Sequence, residues 1–282
     1  MALFLGLGLV ASVMLALGWL LMKSRAQYLV PARGRGFLTA LRGWLRDRVW
    51  LAGLGLQFLG YALYLLALAG APVSMLAVVM QGGIGIFVLF SVIYLHEQAS
   101  LAEWTGIAGV VAAMALLAAS LDEAAAATGL EARRLVIASI LGVGFAVAPY
   151  LGSRLRRQGI AAAFASGIFF GLASLYAKAA MDALTDGAAL LPNAIAVLHT
   201  PWPYLAAAAN IAGLVLLQNS FHWSRGIVAM PLSSALSNVV PIAGGMLAFN
   251  EHLPDALMPA AARILSFALT IASAALLALG RD

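Results

Sequence analysis

The chain has 282 residues, of which 63% are hydrophobic and only 10% charged, with a net charge of +5. A soluble domain carries roughly 25% charged residues, and a disordered chain is far more polar still, so composition leaves an integral membrane protein. The sequence contains no cysteine, which excludes disulfides, thiolate nucleophiles and cysteine-based metal centres.

A bilayer core of about 30 Å needs roughly 20 apolar helical residues to cross it. Nine such runs are predicted, near 3–22, 49–69, 74–95, 105–121, 135–151, 160–183, 203–221, 226–249 and 259–279. The stretch 185–202 is apolar in parts but carries Pro192 and Pro201, and is read as interfacial. The first run has no basic residue ahead of it and no small-residue cleavage site before Lys23, so it is read as a span and not as a removable signal.

Basic residues cluster in loops and set the orientation. With the N-terminus outside and the C-terminus inside, loop 23–48 is cytoplasmic and holds Lys23, Arg25, Arg33, Arg35, Arg42, Arg46 and Arg48. Loop 152–159, Arg225 and Arg281 fall on the same side, which places 12 of the 16 Lys and Arg residues inside. Within loop 23–48, Phe37, Leu38, Leu41, Trp44 and Leu45 recur at helical spacing between arginines. That pattern predicts an amphipathic helix on the anionic inner leaflet.

Polar groups inside a span are costly and are functional candidates by default. Span two offers Gln57, Tyr61 and Tyr64 on one helical face, and span three offers Gln81 in Gln81-Gly82-Gly83. Lys178 is the single lysine within a span and has Asp182 four residues on, a spacing suited to an ion pair. Span seven carries Asn210 and Gln218, with His222 near its inner end. Span eight carries Ser234 and Asn238, with Pro241 freeing a carbonyl near Ser237. Lys178 and His222 are the groups that would couple transport to protons. Tyr64 and Lys178 also have plain readings, as an interfacial anchor and a snorkelling cation. Spans four and nine are almost pure Ala, Leu, Gly and Val and are expected to serve as scaffold, or as a homodimer face through Gly106 and Gly109.

Span three ends Tyr94-Leu95-His96-Glu97-Gln98 and span eight ends Ala248-Phe249-Asn250-Glu251-His252. Glu97 and Glu251 are read as structural acidic ends that cap the helix following each. The likeness predicts two inverted repeats: 1–121 with spans one to four, and 160–282 with spans six to nine. Residues 122–159 hold span five as connector. Inverted repeats place a substrate site near the midplane.

This layout resembles the drug/metabolite transporter superfamily. Glu97 followed by Gly106-Ile107-Ala108-Gly109-Val110 is similar to the close of an EamA-type repeat. The long basic loop, Trp50-Leu51-Ala52-Gly53, Ala69-Gly70-Ala71-Pro72, Leu95-His96-Glu97-Gln98, Lys178 and Phe249-Asn250-Glu251 resemble the nine-helix NIPA-type branch, a likeness that implies magnesium transport. Tyr61 and Val78 stand where that branch implies an acidic residue and a proline.

No Asp or Glu lies near the middle of any span, and a divalent cation wants carboxylate oxygens. The residues themselves therefore favour a small organic, amphipathic or lipid-like substrate, moved by alternating access across a bacterial cytoplasmic membrane. The alternatives are a magnesium or other cation transporter, a flippase for a lipid-linked sugar or amine, and a non-transporting scaffold. No phosphate-binding loop, dinucleotide fingerprint, zinc-protease motif or nucleophile elbow is present, so neither an enzyme, a cofactor, a bound metal nor a nucleic-acid partner is expected.

Overall fold

The computed structural model describes residues 2–29, 37–68, 73–120, 130–152, 158–181, 195–249 and 256–279. Among them every regular element is a helix. Nine run for 19–25 residues: α1 (Ala2–Ala26), α3 (Arg48–Leu68), α4 (Val73–Tyr94), α5 (Leu101–Ala119), α6 (Ala132–Gly152), α7 (Gln158–Met181), α8 (Trp202–Trp223), α9 (Gly226–Ala248) and α10 (Leu257–Leu279). The tenth, α2 (Phe37–Trp44), has eight residues. The long helices coincide with the nine apolar runs. In lipid a helix is the economical solution for such runs, because it satisfies its own backbone.

Among the described residues, six stretches are long and apolar enough to cross a bilayer: Gly6–Ala26, Ala132–Pro149, Gln158–Ala180, Trp202–Trp223, Gly226–Ala248 and Leu257–Leu277. Gly83–Tyr94 and Leu101–Leu117 are apolar but shorter. The chain is thus an all-helical, multi-pass membrane protein.

Local sequence explains several boundaries. Pro201 and Pro203 open α8, where a missing amide costs nothing. Ser100 and Glu103 open α5 as a reciprocal capping box: the Ser100 amide donates to Glu103 Oε2 at 2.7 Å and the Glu103 amide to Ser100 Oγ at 3.3 Å. At the far end of α5, Arg263 of α10 is buried and donates from Nη2 to Ser120 O at 2.9 Å. A cation there complements the helix dipole.

In one half of the chain α1 packs on α3 and α4; in the other, α7 packs on α8 and α9. Helices α5 and α10 pack on each other, and α4 meets α9. Several of these crossings need glycine. A Cβ on Gly53 of α3 would lie 2.7 Å from Gly18 O of α1. A Cβ on Gly167 of α7 would collide with Ser233 O of α9 and lie 2.7 Å from Leu236 Cβ. Gly106 and Gly109 face Leu277 and Ser273 of α10, so the small-residue face of span four serves the scaffold role within this chain. Helix α6 packs on α7 and α9 but leaves Ile140 and Phe145 exposed.

Helix α2 does not lie apart from the bundle. Ala40 and Trp44 are buried, and Trp44 stacks on Trp50 of α3 with ring centroids 5.7 Å apart. Arg42, Arg46 and Leu45 remain on the outer side.

Candidate functional site

The charged side chains that the structure gathers lie at the end of the bundle where α1, α4 and α8 finish and α5 and α9 begin. Helix α1 continues one turn past the predicted span, so Lys23 rides on a helix instead of a loop. Its ammonium is 4% exposed and donates to Phe221 O and Ser224 O, each at 2.7 Å. Glu97 Oε1 lies 3.5 Å from the same nitrogen.

Glu97 is set in place by the turn that ends α4. His96 adopts a left-handed backbone, φ 52°, and the Glu97 amide turns back to Ser91 O at 3.3 Å. A non-glycine residue pays about 1 kcal/mol or more for that conformation. The turn aims the carboxylate across the bundle at α9, where it accepts the amides of Gly226 at 2.8 Å and Ile227 at 2.9 Å. Glu97 does act as a helix cap, but of α9, 129 residues away, and not of the helix that follows it. Helix α5 is capped by its own Ser100–Glu103 box.

Arg225, the residue before α9, forms an ion pair with Glu103 and donates to Gln98 O. Glu103 is fully buried, and its second oxygen lies 3.2 Å from Arg225 Nη1. His222 Nδ1 donates to Ala26 O at 2.8 Å, while its ring stands edge-on to Trp223. The bonds of Lys23 to Phe221 and Ser224, of Glu97 to Gly226 and Ile227, of Arg225 to Glu103 and Gln98, and of His222 to Ala26 all join the α1–α5 part to the α8–α9 part. Beside them Trp19, Phe87, Phe170 and Phe221 form an aromatic layer across the same boundary. A cleft of about 470 Å³ opens there, lined by Lys23, Gln27, His96, Glu97, Gln98, His222 and Arg225 among others.

The expected midplane residues are more dispersed. Gln57 donates to Leu15 O of α1 at 2.8 Å, a bond between helices. Tyr61 is 56% exposed and pairs with Tyr64, ring centroids 6.0 Å apart. Asn210 donates to Ala206 O and Asn238 to Ser234 O, each one turn back on its own helix. Gln218 is buried and accepts the Trp50 indole N–H at 3.2 Å. Gln81 lies on α4. Lys178 sits 4.5 Å from the centroid of the Phe249 ring, a cation–π contact. Its expected partner Asp182, like Glu251, lies outside the described residues. No cluster of three or more His, Asp or Glu residues suited to a metal occurs among the described residues.

Sequence reasoning missed Lys23, Glu103 and Arg225 as a set. The Ser100-x-x-Glu103 spacing is the one local signal; the rest are pairings between residues far apart in the chain, Lys23 with Glu97 and Arg225 with Glu103.

A second charged group steadies the basic loop. Asp47 accepts Arg25 Nε at 2.8 Å and the Trp50 amide at 2.9 Å, which makes it the N-cap of α3. Burial pushes the Asp47 carboxyl up, but Arg25 and the Trp50 and Val49 amides outweigh this and hold it below its ordinary value. A lowered carboxyl stabilises the fold above its ordinary pKa and stops doing so as it protonates. Thermal unfolding of the wild type should therefore lose this contribution below about pH 4. Asp47→Ala should cost about 1 kcal/mol at pH 7 and show a weaker acid limb; an acid limb identical in both proteins would contradict the assignment.

These features define a class: a multi-pass helical membrane protein whose early and late helices are joined at one end by an ion pair and by buried hydrogen bonds from charged side chains. Within that class the chain is similar to the probable magnesium transporter NIPA9 of Arabidopsis thaliana, 25% identical over 232 residues that cover 77% of this chain. The alignment takes in 65% of the plant protein's own length. No protein-family model matches the sequence, and no solved structure matches it.

Proposed function

We propose that the chain is a secondary transporter of the NIPA type that moves a divalent cation of the magnesium class across a cytoplasmic membrane by alternating access. In this reading nine helices cross the bilayer, N-terminus out and C-terminus in. Helices α1 and α3–α5 form one repeat, α7–α10 form its inverted partner, and α6 connects them. The observation that carries the reading is the repeated packing order: α1 on α3 and α4 answers α7 on α8 and α9, while α4 meets α9 and α5 meets α10 across the pseudo-symmetry. Inverted repeats that rock against each other are the usual machinery of alternating access.

The similarity to the plant protein supports the cation. So does the placement of Glu97 and Glu103, whose carboxylates stand at an end of the bundle and supply the hard oxygens a divalent ion needs. The ion pairs at that end correspond to a state shut on the cytoplasmic side. A small organic or lipid-like cargo is the second reading, favoured by the Tyr61–Tyr64 ring pair.

The test is uptake. Purified protein in liposomes loaded with a magnesium-sensitive dye should admit Mg²⁺ down its gradient, and reporter fusions should place the two chain ends on opposite sides. Mg²⁺ at 100 times its dissociation constant should also stabilise the protein by about 2.7 kcal/mol. Liposomes that stay dark while an amphipathic metabolite stabilises the protein would transfer the function to the second reading.

A further inference from the structure

The Lys23 ammonium is a cation held by oxygens. Two of the three belong to the end of α8: Phe221 O and Ser224 O, each 2.7 Å from Nζ. The third is Glu97 Oε1 at 3.5 Å. An ion pair needs only the carboxylate, yet the ammonium lies closest to the two carbonyls. Those carbonyls sit at the negative end of the α8 dipole, which favours positive charge of any origin. The site borders the 470 Å³ cleft, so water can reach it.

We propose that Phe221 O, Ser224 O and Glu97 form a binding site for a small divalent cation at this end of the bundle, and that Lys23 fills it in the closed state as a tethered stand-in. The proposal rests on the cation reading above and names where the ion docks. With Lys23 swung into the cleft, one carboxylate and two carbonyls remain. Mg²⁺ binds through few protein oxygens and keeps several waters, which the cleft has room to supply. Arrival of the ion would thereby replace a contact that ties α1 to the end of α8 and to Glu97.

Two measurements on the full chain test this. In the first, Mn²⁺ binding is followed by electron paramagnetic resonance. Lys23→Met, which keeps the stem and removes the charge, should bind Mn²⁺ at least about tenfold more tightly than wild type. Lys23→Met combined with Glu97→Gln should lose that gain. In the second, wild type is treated with an amine-acylating reagent and read by mass spectrometry at its two lysines, Lys23 and Lys178. Saturating Mg²⁺ should raise Lys23 modification about tenfold, as the ammonium leaves its cage. Lys178 serves as the internal reference, and Na⁺ at equal ionic strength should have no such effect.

Unchanged or slower Lys23 labelling overturns the proposal, as does a Lys23→Met protein with wild-type Mn²⁺ affinity. If Lys23→Met fails to fold, the labelling result decides alone. Liposomes that carry no Mg²⁺ while Mg²⁺ still releases Lys23 would remove the transport reading and leave the site standing.

Discussion

Gly167→Val is expected to be among the most destabilising single changes in the chain. Helix α7 crosses α9 at this point, and the added Cβ meets Ser233 O and lies 2.7 Å from Leu236 Cβ and 3.0 Å from Ser233 C. Backbone atoms cannot rotate out of the way as the tip of a long side chain can. The two helices must part instead, and the bond that crosses here goes with them: Ser233 Oγ to Ser166 Oγ at 3.2 Å, whose Ser166 hydroxyl also donates to Gly213 O of α8 at 2.8 Å. Overpacking of a tight contact costs about 1–3 kcal/mol, occasionally more. Gly167→Ala should lie toward the upper part of that range and Gly167→Val beyond it. Better helix propensity returns at most about 1 kcal/mol. Gly55 of α3 is the control, with nothing within 4 Å of an added Cβ. Gly55→Ala should leave thermal unfolding in detergent unchanged or slightly raised. Equal melting temperatures for Gly167→Val and wild type would refute the close crossing.

Glu97→Ala is the second large effect. It leaves the Lys23 ammonium, 4% exposed, without its carboxylate, and it uncaps the first two amides of α9. Removing one partner of a buried ion pair costs about 3–5 kcal/mol, because the other charge stays buried. Removing both is far milder. Lys23→Met with Glu97→Ala should therefore be more stable than the sum of the single changes implies, with a coupling of about 0.5–3 kcal/mol in a double-mutant cycle. Additive losses would mean that the two groups act independently. A melting temperature for Glu97→Ala within error of wild type would remove the cluster from the stability of the closed form altogether.

Much of the fold can be read from residue order. Each of the nine apolar runs is occupied by a long helix, because composition alone makes those segments intolerant of any backbone that does not bond to itself. Ends are less legible. Helix α5 starts at Leu101 and not near residue 105, since the Ser100–Glu103 box begins the helix ahead of its apolar stretch. Helix α1 runs to Ala26 because a lysine at a helix end can extend its ammonium to carbonyls of a neighbouring helix instead of terminating its own. The spacing from Phe37 to Leu45 reads as helical and the helix runs from Phe37 to Trp44, but the pattern does not reveal that Trp44 stacks on Trp50.

The site was harder. Composition points to mid-span polar residues and predicts that Asn210, Asn238 and Gln57 face a shared pocket. In the structure each spends its amide on a carbonyl of its own helix or the next. Glu97 has no local signature that names Gly226 and Ile227 as its partners, since that pairing exists only after the bundle assembles. A chain with two lysines and 14 arginines does, in retrospect, draw attention to Lys23.

Helix α9 holds two prolines, Pro231 and Pro241. Pro231 offers no amide to the carbonyl of Ile227, four residues earlier. The opening turn of α9 is therefore joined to the remainder of its helix by one backbone bond fewer, while Glu97 fastens that same turn to the opposite part of the molecule. A pull transmitted through Glu97 meets its softest point at Pro231. The bundle is thus equipped to flex a single short lever at its rim without dragging an entire 23-residue rod through the lipid.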